Sequence, residues 1–128
     1  SQRSLDWLDS LPSVVEADFG PHRVVVVHGD QTVPAGLVDH GASDAAIIDV
    51  MDALGADVLV TAHTHLPMLR WVEGRLVVNP GSVGEGTPDD PRPTWAWLEA
   101  GTTGIRAAIE HVDKPLAPPR DKAHRKGE

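Results

Sequence analysis

The chain contains no cysteine among its 128 residues. Disulfide bonds and thiolate metal sites are therefore excluded, so a transition metal would have to be held by histidine and oxygen ligands. Zn, Mn, Fe and Ni all accept ligands of these types. The sequence contains seven histidines, which are the candidate ligands for such a metal.

The sequence also lacks a long apolar segment and an excess of positive charge. No run approaches the roughly 18 apolar residues of a transmembrane helix, and there is no signal-peptide pattern, so we predict a cytoplasmic protein without a membrane partner. Eleven basic and 19 acidic residues give a net charge of −8, which argues against a nucleic-acid-binding protein. A phosphorylated substrate stays compatible with this charge, because bound metal ions supply positive charge locally.

The chain does contain the pattern of an α/β domain. Residues 23–27 and 57–61 are apolar runs typical of strands that are buried on both faces. Between them, Ser43 is a favourable helix N-cap, and Gly55 marks the end of the predicted helix. This strand–helix–strand unit predicts an α/β fold.

Shorter patterns extend the domain on both sides of this unit. They predict a helix capped by Ser4 and ended by Pro12, a strand at 14–19, a hairpin at 68–78 that turns at Glu73-Gly74, and strands at 94–98 and 105–112. We therefore place one domain at residues 1–113. Residues 114–128 are rich in proline and charge and predict a mobile tail.

Three polar clusters each come directly after a predicted strand. They are His28-Gly29-Asp30, His63-Thr64-His65 and Asn79-Pro80-Gly81-Ser82. Taken singly, each is typical of an ordinary turn or loop. Ligands of α/β sheets, however, bind beside the carboxyl ends of strands, so these distant clusters are expected to converge there. Histidines two apart in an extended segment lie on one side, about 6.6 Å apart. They can bind one metal or reach two metals about 3.5–4 Å apart.

Three segments carry a resemblance to a known family. Residues 24–30 (VVVVHGD), 60–67 (VTAHTHLP) and 76–83 (LVVNPGSV) resemble the second half of the calcineurin-like metallophosphoesterase superfamily, particularly its small prokaryotic phosphodiesterases. The resemblance covers residues 4–112. The family usually has Gly-His-x-His at the paired histidines, and Ala62 replaces that glycine here. The implied fold is half of a four-layer α/β/β/α sandwich.

The resemblance also implies the roles of individual residues. His28 and His63 would bind one divalent metal and His65 a second, the two ions being Mn, Zn, Fe or Ni. Asn79 and Ser82 would support the site or contact substrate. Asp30 either orients His28 through its second ring nitrogen or simply forms the turn.

The family's earlier motifs do not precede His28 in this sequence. The bridging aspartate and the general acid are therefore expected in a missing N-terminal half. The implied function is metal-dependent hydrolysis of a small phosphomonoester or phosphodiester, with the isolated chain inactive. Its partner would be that half or a second copy of the chain. The alternative is a non-catalytic scaffold, like the retromer's metallophosphoesterase-like subunit, or an inactive fragment. The sequence does not identify the substrate, the metals or the oligomeric state.

Overall fold

The computed structural model describes residues 1–29 and 38–113. The predicted tail at 114–128 and the candidate residue Asp30 lie outside the described residues. The helices and strands are α1 (Gln2–Asp9), β1 (Val14–Phe19), β2 (His22–Val27), α2 (Asp44–Leu54), β3 (Val58–Val60), β4 (Met68–Val72), β5 (Arg75–Asn79), β6 (Thr94–Gly101) and β7 (Gly104–His111).

Five of the strands form one mixed sheet in the order β1-β2-β3-β5-β4. The three inner strands are parallel and in register, with Val24 beside Val58 and Val58 beside Leu76. The two outer strands, β1 and β4, run antiparallel to their neighbours. Parallel pairing of β2, β3 and β5 brings their carboxyl ends to the same edge of the sheet, as the sequence predicts.

Alternating side chains of the inner strands enter two separate apolar clusters. Val25, Leu59 and Val77 face α2 and pack with its buried residues Ile47, Val50 and Met51. Val24, Val58 and Leu76 point to the other face, where the two-stranded sheet of β6 and β7 packs against them. The two-residue period of a strand thus places a helix on one side of the sheet and a second sheet on the other. These layers confirm the α/β class and correspond to part of the implied sandwich.

The local turn and capping patterns are largely confirmed. Ser43 caps α2 by accepting a hydrogen bond from the Ala46 backbone N–H, and Gly55 ends the helix in the left-handed conformation. Glu73 and Gly74 form the predicted hairpin turn, both with positive φ. The predicted cap of α1 is wrong. The helix begins three residues earlier, with Ser1 accepting from the backbone N–H of Ser4.

The apolar side of the first 27 residues is not covered by the described part of the chain. Helix α1 has no buried residue, and Trp7 is 61% exposed. On β1, Phe19 is half exposed, and Val26 of β2 is 41% exposed although its strand was expected to be buried on both faces. Among the described residues, no helix is long and apolar enough to cross a membrane.

Candidate metal centre

The candidate site lies at the edge of the sheet where β2, β3 and β5 end. Val26, Val60 and Val78 are neighbours in these three strands. The chain continues from them to His28, to the turn at 62–65 and to the turn at 79–82. The backbone N–H groups of Ala62 and His63 both donate to the carbonyl of His28, at 3.0 and 3.1 Å. The first two polar clusters are therefore joined through their main chains.

The side chains of His28 and His63 meet at this edge. His28 Nε2 and His63 Nδ1 are 3.3 Å apart, and the two rings stand edge to face with an interplanar angle of 84°. Two imidazole nitrogens bound to one tetrahedral Zn²⁺ at about 2.0–2.1 Å would be separated by about 3.3–3.4 Å. The observed separation is compatible with a shared metal ion.

His65 is held in an unusual backbone conformation beside this pair. Its φ is 61°, one of two positive values at non-glycine residues among the described positions. Such a conformation costs free energy for a residue with a Cβ and is found preferentially at functional sites. The His65 backbone N–H donates to the carbonyl of Ala62 at 3.1 Å, which closes the turn. The ring of His65 contacts Glu85, with 2.8 Å between His65 Nδ1 and Glu85 Oε2.

Asn79 joins the second and third polar clusters from a buried position. Its side-chain amide donates to Ala62 O at 2.7 Å and to Thr64 Oγ1 at 3.1 Å. Its Oδ1 accepts from the backbone N–H of Gly81 at 2.9 Å. With only 2% of the residue exposed, these contacts favour support of the His63 turn over contact with a substrate.

Ser82 makes its hydrogen bonds to the residues that follow it and to Thr94. Its Oγ accepts from the backbone N–H groups of Gly84 and Glu85, at 3.1 and 3.0 Å. Its own N–H donates to Thr94 Oγ1 at 3.1 Å. The preceding Gly81 has φ 83°, and a Cβ there would lie 2.0 Å from Thr94 Oγ1. The turn after β5 is thus packed tightly against the start of β6.

Three further histidines among the described residues make contacts of a structural kind. His22 Nε2 lies 3.0 Å from Gly101 O, His40 Nε2 lies 3.1 Å from Pro67 O, and His111 Nε2 lies 3.7 Å from Asp90 Oδ2. His40 and Pro67 also line a shallow groove of about 380 Å³. Over residues 1–29 and 38–113, no cluster of three or more histidine and acidic side chains is arranged to hold a metal. The described residues therefore bring together two of the three predicted ligands.

Sequence reasoning missed Glu85 and Thr94. Glu85 stands three residues after Ser82, and a Ser-x-x-Glu spacing is the pattern in which the serine side chain accepts from the glutamate N–H. The Ser-x-x-Glu spacing could therefore have predicted the hydrogen bond from the Glu85 N–H to Ser82 Oγ. The contact of Glu85 with His65 spans 20 residues and has no equivalent signal in the sequence.

Two residues in the loop after Ser82, Asp90 and Arg92, have shifted pKa values. Arg92 donates through Nε and Nη2 to the Asp90 carboxylate. These side-chain bonds, helped by the Arg92 backbone N–H, hold the pKa of Asp90 well below its ordinary value, and Asp90 in turn raises the pKa of Arg92. Both groups stay charged near neutral pH and fasten the loop.

Comparison with known proteins identifies a family. The family model of the calcineurin-like phosphoesterase superfamily domain matches residues 1–103. A "Probable metallophosphoesterase" of Methanothermobacter thermautotrophicus is 49% identical over 41 residues, which is 32% of this chain and 21% of that protein.

Solved structures show the same fold. Vps29 of Entamoeba histolytica in complex with Zn²⁺ superposes with a TM-score of 0.60 at 26% identity, over 80% of this chain and 61% of Vps29. A hypothetical protein of Pyrococcus horikoshii gives 0.68 at 21% identity, over 89% of this chain and 46% of that one. A predicted phosphoesterase of Streptococcus pneumoniae gives 0.63 at 16% identity, over 86% and 60%.

This chain spans less than two thirds of the length of these relatives. The match to the family model nevertheless extends over most of its own residues and includes all three polar clusters at the strand ends. The chain belongs to the calcineurin-like phosphoesterase superfamily.

Proposed function

We propose that this chain supplies the histidine ligands of a divalent metal centre that hydrolyses phosphomonoesters or phosphodiesters. The observation that carries the proposal is the 3.3 Å separation of His28 Nε2 and His63 Nδ1, which matches two ligands of one metal ion. Membership of the phosphoesterase superfamily supports the reaction class. The substrate is a phosphorylated small molecule.

The three histidines would divide between two ions drawn from Mn, Zn, Fe and Ni. His28 and His63 would hold one ion, and His65 would hold the other. Divalent ions in such a centre acidify water and neutralise charge on the phosphoryl group. The protein's own contribution is orientation. The main-chain bonds to His28 O and the Asn79 bridge fix the His63 turn before any ligand arrives.

We further propose that the remaining ligands, a bridging aspartate among them, come from a polypeptide segment outside these 128 residues. Three neutral imidazoles shared by two ions leave each ion short of ligands and of negative charge. The exposed apolar side of α1 and β1 is a surface on which such a segment, or a second copy of the chain, could pack. Large exposed apolar areas of this kind mark protein interfaces.

A protein-binding scaffold is the second candidate. Structural likeness to Vps29 proteins and the uncovered apolar residues of α1 both favour it. One Vps29 structure is a complex with a cyclic peptide, so that relative accepts a peptide ligand. The facing nitrogens of His28 and His63 favour the hydrolase, because they are spaced as two ligands of one metal ion.

The test is a manganese-supplemented assay with an aryl phosphodiester. We expect the chain alone to turn over substrate little above background. Joined to a segment that carries the aspartate motifs, it should become active, and His63→Ala or His65→Ala should abolish the gain. His22→Ala is the matched control, because His22 opens β2 at the opposite edge of the sheet from His28.

Two results would contradict the proposal. The first is robust turnover by the chain alone, which would mean that these 128 residues suffice. The second is a gain in activity that survives both histidine substitutions. If zinc titration by calorimetry shows binding but no assay shows turnover, the scaffold reading is favoured.

A further inference from the structure

The segment between β5 and β6 forms a closed loop whose two ends are bonded to each other. We call residues 83–93 the β5–β6 loop. At its base, the Thr94 N–H donates to Ser82 O at 3.0 Å, and the Ser82 N–H donates to Thr94 Oγ1 at 3.1 Å. Thr94 is 98% buried. The base of the loop is therefore anchored in the interior of the domain.

The interior of the β5–β6 loop is also fastened. Thr87 and Asp90 exchange backbone hydrogen bonds of 2.7 and 3.2 Å. Gly86 is buried so closely that a Cβ would lie 2.7 Å from Asp90 O. The ion pair of Asp90 with Arg92 closes the far side of the loop. Three independent sets of contacts thus define the shape of a segment that contains no regular secondary structure.

This fastened loop presents Glu85 to His65. The Glu85 N–H is bonded to Ser82 Oγ at 3.0 Å, which sets the start of the side chain. Its Oε2 lies 2.8 Å from His65 Nδ1. A carboxylate has no proton to donate near neutral pH, so the hydrogen bond requires the proton on His65 Nδ1. In the neutral ring with its proton on Nδ1, the lone pair lies on Nε2.

We propose that Glu85 is a positioning residue that holds His65 as the Nδ1–H tautomer and so presents Nε2 as a metal ligand. This inference rests on the proposed function, which makes His65 a metal ligand; the inference adds that Nε2 is the atom that binds. Metal-binding histidines generally donate their second ring N–H to a carboxylate or carbonyl, which fixes the ring and raises its basicity. Glu85 supplies that acceptor from a different loop.

The solvent exposure of His65 and Glu85 indicates that their contact orients the His65 ring rather than stabilises the fold. The His65 and Glu85 side chains are 46% and 71% exposed. Exposed ion pairs contribute little to folding stability because water screens them. Loss of Glu85 should therefore leave the fold intact while it changes the tautomer and the metal affinity of His65.

The first experiment reads the tautomer without any metal. Two-bond ¹H–¹⁵N correlation spectra of the full 128-residue chain distinguish Nδ1–H from Nε2–H imidazoles. We expect His65 to be the Nδ1–H form in the unsubstituted chain and to shift towards the Nε2–H form in Glu85→Ala. Glu85→Gln should keep the Nδ1–H form, because the amide oxygen still accepts the hydrogen bond. Glu73→Ala, an exposed residue of the β4–β5 turn, should change nothing.

The second experiment measures zinc affinity by calorimetry on the same variants. Substitution of outer partners of metal-binding histidines typically weakens binding about 10–100-fold. For the ion that His65 would hold, we expect a loss in that range for Glu85→Ala, a smaller loss for Glu85→Gln, and none for Glu73→Ala.

The two experiments fail in distinguishable ways. An Nε2–H tautomer of His65 in the unsubstituted chain would overturn the role of Glu85, whatever the metal affinity. Equal affinities of Glu85→Ala and Glu73→Ala for the ion at His65 would also overturn it. If the unsubstituted chain binds no zinc, the proposed function of these residues fails, and the tautomer experiment still decides whether Glu85 orients the ring.

Discussion

Asn79→Ala removes the side chain that joins the turn at 62–65 to the turn at 79–82. The substitution deletes two donated bonds, to Ala62 O and Thr64 Oγ1, and one accepted bond, from the Gly81 N–H. A hydrogen bond contributes about 0.5–1.5 kcal/mol net, and a buried group left unpaired costs about 1–3 kcal/mol. Asn79 is almost completely buried. We therefore expect the free energy of unfolding to fall by about 3 kcal/mol.

The measurement is urea denaturation followed by circular dichroism, with Gln2→Ala as the matched control. Gln2 also donates through its amide, to Asp6 Oδ1 at 2.8 Å, but on the exposed surface of α1. Its loss should cost no more than about 0.5 kcal/mol. Zinc affinity should fall with Asn79→Ala as well, because the His63 turn loses its support. A loss of stability below about 1 kcal/mol, or equal to that of Gln2→Ala, would refute the reasoning.

Three further predictions test other parts of the structure. Gly81→Ala should destabilise the fold far more than Gly74→Ala in thermal melts, because both have positive φ but only Gly81 lacks space for a Cβ; equal shifts would contradict this. The ion pair with Arg92 lowers the pKa of Asp90 below its ordinary value of 3.8. The pair therefore stabilises the fold fully above pH 3.8, and this stabilisation is lost as the pH falls through the lowered pKa. Acid titration of stability should therefore be steeper for the unsubstituted chain than for Asp90→Asn, and parallel curves would refute the role of the ion pair. Sedimentation velocity should show self-association in the micromolar range through α1, weakened by Trp7→Ser; a monomer at all concentrations would count against that surface.

The parts of the fold that depend on local chemistry were predictable from the sequence. Helix α2 begins and ends where Ser43 and Gly55 place it, because capping involves only neighbouring backbone groups. The hairpin turn at Glu73-Gly74 has the same origin. The meeting of His28 and His63 was also predictable. It follows from the parallel order of β2 and β3, which apolar runs on either side of a helix imply.

Three features were not predictable, one because two local signals compete and two because they depend on distant contacts. Ser1 and Ser4 are equally good caps by composition, and the hydrogen bond between them decides which one begins α1. Val26 belongs to a run of four valines, yet its exposure depends on what covers that end of the sheet. Glu85 reaches His65 only because Thr94 closes the loop that carries it. The hydrophobic periodicity of the sequence gives no signal for a contact between residues this far apart in the chain.

The closed base of the β5–β6 loop makes the segment between Ser82 and Thr94 a replaceable insert. Because these two residues are bonded directly to each other, the docking of β6 against the end of β5 does not depend on what lies between them. Loops closed at their base tolerate changes of length and sequence at modest entropic cost. The surroundings of His65 can therefore be redesigned, by exchange of the loop, without rebuilding the strands that hold His28 and His63.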